Sequence, residues 1–180
     1  MNIINDLITD RTQDDVNELV SILTQIKNNG FDSISDADKE KYLSGMRGAY
    51  THIDLNRVGE AVLYISNRML SLQGELDSYR EDLSVSGGSF YDVPYDESNV
   101  SVSPKTNWTE TDIFDYNSEA LYIEDLKTLE SVLDLPAGSP SVPSNLGKMN
   151  YKTANDIEKL LTVIYEEFSS IENKLYGRIN

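Results

Sequence analysis

The feature that most restricts this chain is a series of nine apolar side chains, Leu55, Val58, Val62, Ile65, Met69, Leu72, Leu76, Tyr79 and Leu83, separated by alternating steps of three and four residues. That spacing gathers side chains into one narrow stripe on an α-helix, and held over four heptads it is the pattern of a seam between packed helices. At a rise of about 1.5 Å per residue, a helix of about thirty residues makes a rod of about 45 Å, longer than the core of a small domain requires. The stripe therefore has to be covered by another helix, from this chain or from a second copy. Gly59 and Gly74 lie inside the rod. Each costs about 1 kcal/mol relative to alanine in a helix interior, so the rod either breaks or bends near Gly74 or uses its small residues to admit a close neighbour.

Helix starts are written clearly around this rod. Thr12 in T-Q-D-D, Thr51 in T-H-I-D and Thr153 in T-A-N-D each place an acid three residues after a hydroxyl, the capping-box pattern in its Asp form. The first helix then carries Val16, Leu19, Val20, Leu23 and Ile26 on one face and stops at Asn29–Gly30. Ser35 opens a short acidic helix that ends at Gly45. In the second half, Asn117 caps a helix through about Asp134 with Tyr122, Leu126, Leu129 and Leu133 as its stripe. After a proline-stiffened connection, the helix launched at Thr153 turns Ile157, Leu160, Leu161, Ile164, Phe168, Ile171 and Leu175 inward. The starts Y-T-H-I-D-L-N-R-V at Tyr50 and K-T-A-N-D-I-E-K-L at Lys152 align on Asp54 and Asp156, the mark either of a duplication or of one capping solution used twice.

Between Ser84 and Asn107 the pattern changes. Gly87, Gly88 and two prolines flank an alternating run, N-V-S-V-S from Asn99 to Ser103, whose period of two predicts a strand. The stretch S-F-Y-D-V-P-Y before it supplies a second short strand of a hairpin, or an exposed arm. The expected fold is mainly α: a helical bundle or coiled-coil-like helical hairpins with a small β-hairpin or extended arm in the middle. Its organisation is 1–83 as an N-terminal helical unit, 84–107 as the β or loop insertion and 108–180 as a C-terminal helical hairpin. Eleven tyrosines against four phenylalanines give many rings with an apolar body and a polar edge, which suit interfaces. Phe90, Tyr91, Tyr95, Trp108 and Tyr116 are the candidate partner surface, and Leu55 to Leu76 are the candidate self-association seam.

Composition excludes more than it assigns. Asp and Glu outnumber Lys and Arg by 31 to 15, giving a net charge of -16 with no basic half. Nucleic-acid binding and attraction to an anionic membrane both draw on clusters of Lys and Arg, and neither is expected. The absence of cysteine removes disulfides, thiolate metal sites and thiol nucleophiles, and fits synthesis in a cytoplasm. The sequence contains no basic leader before an apolar run and no apolar stretch of spanning length. His52 is the only histidine and follows a helix cap. No H-E-x-x-H, G-x-S-x-G or phosphate-loop string occurs, and the acids are placed for solvation and capping. No catalytic residue, metal site or cofactor is expected.

Four strings, D-R-T-Q-D-D-V at Asp10, M-R-G-A-Y-T-H-I-D-L-N-R-V-G-E-A-V at Met46, V-S-P-K-T-N-W-T-E-T-D-I at Val102 and Y-K-T-A-N-D-I-E-K at Tyr151, carry a resemblance. They resemble uncharacterised proteins encoded in the prophage tail modules of low-GC Gram-positive bacteria, over most of the chain except Ser84 to Glu97. The resemblance implies a structural component of a bacteriophage tail or tail-like particle near the baseplate, fibres or receptor-binding apparatus, located in the virion after synthesis in the host cytoplasm. It implies other tail proteins as partners, with homo-oligomerisation in keeping with such a particle. A receptor-binding or adhesive module, and a helical assembly chaperone absent from the finished particle, are the alternatives.

Overall fold

The computed structural model describes residues 3–86, 95 and 97–179. Its helices are α1 (Gln13–Asn29), α2 (Asp36–Ser44), α3 (His52–Ser86), α4 (Tyr116–Val132) and α5 (Tyr151–Ile179), with short 3-10 turns at Ile3–Asp6, Phe31–Ser33 and Glu97–Asn99. The protein is mainly α, and no β-strand occurs among the described residues. None of the described helices is long and apolar enough to cross a membrane.

The core follows from the seam. Leu55, Val58, Val62, Ile65, Met69, Leu72 and Leu76 are all buried, and α3 packs against both α4 and α5. Leu126 and Leu129 of α4, and Ile157, Leu160, Leu161, Ile164 and Phe168 of α5, close over the same cluster. The stripe on α3 is thus covered by helices of its own chain. The side chains of Tyr79 and Leu83, which would extend it, lie outside those described. Ile4, from the first 3-10 turn, and Val100 join this core, so it draws on all three stretches into which the sequence divides.

α3 runs without interruption through both glycines. They serve different ends. A Cβ on Gly59 would stand 2.8 Å from the carbonyl oxygen of Lys105, so only glycine lets the chain segment that crosses α3 there come so close. A Cβ on Gly74 would meet nothing within 4 Å, and burial of the seam around it outweighs the helix penalty of about 1 kcal/mol.

The crossing segment corrects the β expectation. The burial of residues 100–103 does alternate, with Val100 buried, Ser101 exposed, Val102 half-buried and Ser103 exposed. Among the described residues, however, the backbone bonds of this segment go to helix side chains. Ser66 Oγ donates to the Val100 carbonyl at 2.7 Å, and the Ser103 amide donates to Asp125 Oδ1 at 3.0 Å. Further along, the Trp108 amide donates to Asn56 Oδ1 at 2.6 Å while Asn56 Nδ2 donates to the Trp108 carbonyl at 2.9 Å. Period-two burial here marks an extended strap tied to α3 and α4. The other expected strand lies outside the described residues except for Tyr95.

Two further corrections concern helix starts. α4 is capped by Asp115, which accepts from the Ser118 amide at 2.8 Å, and Asn117 lies inside the helix. α5 begins two residues before Thr153: Asn150 Oδ1 accepts from the amides of Lys152 and Thr153 at 2.9 and 3.3 Å, the role expected of Thr153. An asparagine placed earlier in the chain satisfies these free N–H groups first. By contrast, Thr12 and Asp15 form a reciprocal capping box on α1, and Thr51 Oγ1 accepts from the Ile53 amide as Asp54 Oδ2 accepts from the Thr51 amide. The two starts that align in sequence are therefore built differently.

α1 and α2 bury little. Ile22, Ile34 and Met46 form a separate small cluster with Leu19 and Ile26 at its edge. The inward face of α1 is centred on Ile22, so Val20 and Leu23 are exposed.

The glycine contrast predicts opposite signs. Gly59→Ala should lower the midpoint of urea unfolding, because the strap must leave the Lys105 carbonyl contact. Gly74→Ala should raise stability by about 0.5–1 kcal/mol, the helix and unfolded-state gain at an open site. Equal effects of the two would refute the assignment.

Candidate functional site at the start of three helices

The sequence places a charged residue just before α1, two more in the first two turns of α3 and one about two turns into α5, and the fold brings these to one place. Arg11 is buried, as are Asp54 of α3 and Glu158 of α5, with Arg57 of α3 mostly so. Arg11 Nη2 lies 2.8 Å from Asp54 Oδ1 and 2.6 Å from Glu158 Oε1. Arg57 Nε donates to Glu158 Oε2 at 3.0 Å and Arg57 Nη2 to Glu158 Oε1 at 2.9 Å, while Arg57 also pairs with Asp54.

The remaining lone pairs are taken by backbone. Glu158 Oε2 accepts from the Ile8 amide at 2.6 Å, and Asp54 Oδ2 accepts from the Thr51 amide at 2.7 Å and the Thr51 hydroxyl at 3.2 Å. Each carboxylate so accepts four hydrogen bonds, and the four charges sum to zero. Charges survive burial only when paired and hydrogen-bonded in this way. Burial alone would lower the pKa of Arg57, but hydrogen bonds and attraction to Glu158 and Asp54 hold it above the usual arginine value. Among the described residues no cluster of three metal-binding side chains occurs.

Other bonds lock the approach of the N-terminal segment. The Arg11 amide donates to Asn155 Oδ1 at 3.0 Å, Asn155 Nδ2 donates to the Arg11 carbonyl at 2.9 Å, and Arg11 Nη1 donates to the Ile8 carbonyl at 2.6 Å. The loop before α3 lies against the first turn of α1 so tightly that a Cβ on Gly48 would sit 2.2 Å from the Asp15 carbonyl oxygen.

Above the charges lies an aromatic chain. The Arg11 guanidinium stands 5.8 Å from the Tyr50 ring centre. The Tyr50 and Tyr122 hydroxyls are 2.6 Å apart, and Phe114 packs between Tyr122 and Trp108 with centroid separations of 6.0 and 5.5 Å. Burial, followed by the neighbouring hydroxyl and the two carboxylates, raises the pKa of Tyr50 well above its ordinary value, and burial does the same to Tyr122.

A cleft of about 750 Å3 opens beside this chain, between the start of α1, the 47–50 loop, Phe114 and the start of α5. Its charged lining is Arg11, Arg47 and Lys152, with no carboxylate, in a chain of net charge -16. α1, α3 and α5 all begin here, and each helix start adds partial positive charge.

The expected partner surface is distributed differently. Trp108 is buried, held by Asn56 and by the Lys105 ammonium 4.0 Å from its ring centre. It fastens the strap and offers no partner surface. Tyr95 is half-buried, donates to the Met69 carbonyl at 2.9 Å and packs edge-on against Phe168. Tyr116 is exposed. Phe90 and Tyr91 lie outside the described residues. Arg11, Asp54, Arg57 and Glu158 were not among the sequence candidates as a set. The available signal was Glu158 itself, an acid in the middle of the α5 stripe between Ala154 and Leu161. No family model, curated protein or solved structure matches this chain.

The tyrosine pair sets a pH dependence. Both hydroxyls ionise less readily when folded than the ordinary value of 10.0, so their contribution is complete below about pH 10 and is lost as pH rises through the folded values. Stability measured by urea unfolding should fall above pH 10, and Tyr50→Phe should make that decline shallower. An unchanged slope would show that the pair is not buried in the folded protein.

Proposed function

We propose that this chain is a non-enzymatic structural adaptor of a bacteriophage tail or phage-derived tail-like particle, in the baseplate or fibre region, that acts by packing against neighbouring tail proteins and further copies of itself. The observation that carries the assembly role is the set of large apolar side chains left in water after the seam has been covered internally. Leu43, Ile113, Tyr116 and Leu121 are 62–83% exposed, and Val20 and Leu23 sit one helical turn apart on α1. Burying one such side chain contributes about 1.5–3 kcal/mol, a gain this fold forgoes and a partner would collect. The placement in a phage particle rests on the resemblance of the four strings. Self-association, on this reading, uses the exposed residues and not the α3 seam.

Mass spectrometry of particles purified from the host that carries this gene tests the proposal. The chain should be present in a constant ratio to other tail proteins after washing. Ile113→Ser with Tyr116→Ser should leave the helical circular dichroism unchanged and deplete the chain from particles. Absence of the unaltered chain would overturn the structural role in favour of an assembly chaperone, and normal incorporation of the double variant would show that these side chains are not the contact.

A further inference from the structure

The cleft at the start of α1 and α5 differs from the rest of the molecule in sign. Acids outnumber cations two to one in the chain, yet the charged side chains of this cleft are cationic only. The three cations are not equivalent. Arg11 is committed to Asp54 and Glu158, and Arg47 pairs with the exposed Asp10. The Lys152 ammonium has no carboxylate partner among the described residues and lies 5.9 Å from the Tyr151 ring centre. The rest of the wall is mainly apolar or aromatic, with Tyr50, Leu55, Phe114 and Met149 prominent and Gln13 and Asn150 its uncharged polar side chains. A volume of about 750 Å3 falls within the range of clefts that enclose a ligand of several residues or rings, roughly 300–1,000 Å3.

The cleft also continues. Val16 forms part of its wall, and Val20 and Leu23 follow on the same helix at steps of four and three, both exposed. A cationic pocket with an aromatic wall leads directly onto an apolar ridge. An inorganic anion would use the cations and leave the rings and the ridge wet. A purely apolar segment would leave the exposed Lys152 ammonium at the cleft's edge unused. Only an occupant with both characters uses the whole surface.

We propose that this cleft is a docking site for a peptide segment of a neighbouring protein that presents a carboxylate beside apolar side chains, the carboxylate to Lys152 and Arg47 and the apolar groups to the aromatic wall and the α1 ridge. The assignment of the occupant to a neighbouring protein rests on the adaptor reading above; the chemistry of the cleft does not. The carboxylate gains charge-assisted hydrogen bonds, reinforced by the starts of α1 and α5. The segment's apolar side chains gain burial. The chain's overall net charge of -16 disfavours acidic segments on other faces, so the cleft also selects where such a segment lands.

The test uses the full-length protein, labelled with nitrogen-15, and a matched pair of probes: N-acetyl-Leu-Phe with a free carboxylate and the same dipeptide as its C-terminal amide. Titration at millimolar concentration should shift the backbone amides of Arg47, Gly48, Ala49 and Lys152 saturably with the carboxylate, and bind the amide about tenfold more weakly, the equivalent of about 1.4 kcal/mol. Arg47→Gln with Lys152→Gln should remove the difference between the probes while the remaining resonances keep their positions. Lys127→Gln, on α4 away from the cleft, should change nothing. Equal binding of acid and amide, equal saturation by acetate alone, or the absence of any saturable shift at these amides would each overturn the site. A chain missing from purified particles would sink the adaptor role without altering these titrations, so the two failures are distinguishable.

Discussion

Arg11, Asp54, Arg57 and Glu158 impose the constraint on which the rest of the structure depends. Two cations and two anions leave water together, and any one of them alone would cost several kcal/mol to bury. The charges are paired only when three distant parts of the chain meet: Arg11 precedes α1, Asp54 and Arg57 lie on α3, and Glu158 lies on α5. A hydrophobic seam can slide by a heptad with modest loss. A closed ring of charges cannot, so the cluster fixes the register in which α5 lies on α3 and the place where the N-terminal segment crosses them.

From that fixed point the other features follow. α3 and α5 begin side by side, which lets α4 and α5 cover the Leu55–Leu76 stripe within one chain. The N-terminal segment is held over them by the Asn155 and Glu158 bonds to Arg11 and Ile8, and α1 is thereby aimed outward with only a small cluster of its own. The consequence for function is a division of surfaces. The longest apolar stripe is internal and sets the fold, whereas large apolar side chains stay exposed on α1, α2, the approach to α4 and α4 itself, beside the cationic cleft among the helix starts.

Much of the scaffold was legible in the sequence because helices announce themselves locally. The three-four spacing from Leu55 onward, the Thr12 and Thr51 capping boxes and the α5 stripe are statements about neighbours within a turn or two, and the structure has helices at each. What the sequence hid was long-range. Whether the α3 seam is covered from inside or by another chain depends on where α4 and α5 go, and nothing near Leu55 encodes that. The V-S-V-S run illustrates a different limit: period two records which side chains are buried, and it cannot distinguish a sheet ladder from a strap bonded to Ser66 and Asp125. Trp108 has the local sequence of a surface ring, yet Asn56, 52 residues away, holds its backbone. The charge cluster was hidden for the same reason. Glu158 is out of place on an apolar stripe, but its partners are 101 and 147 residues distant.

The most direct test of the account is a double-mutant cycle on Arg11 and Glu158, with alanine at each position and at both, read by urea unfolding. If the two side chains belong to one closed set, each single variant leaves partners uncompensated. The double variant should then be much less destabilised than the sum of the singles, with an interaction energy of about 1–3 kcal/mol. Additive losses, agreeing within about 0.5 kcal/mol, would contradict the claim that this buried cluster holds the three helix starts together.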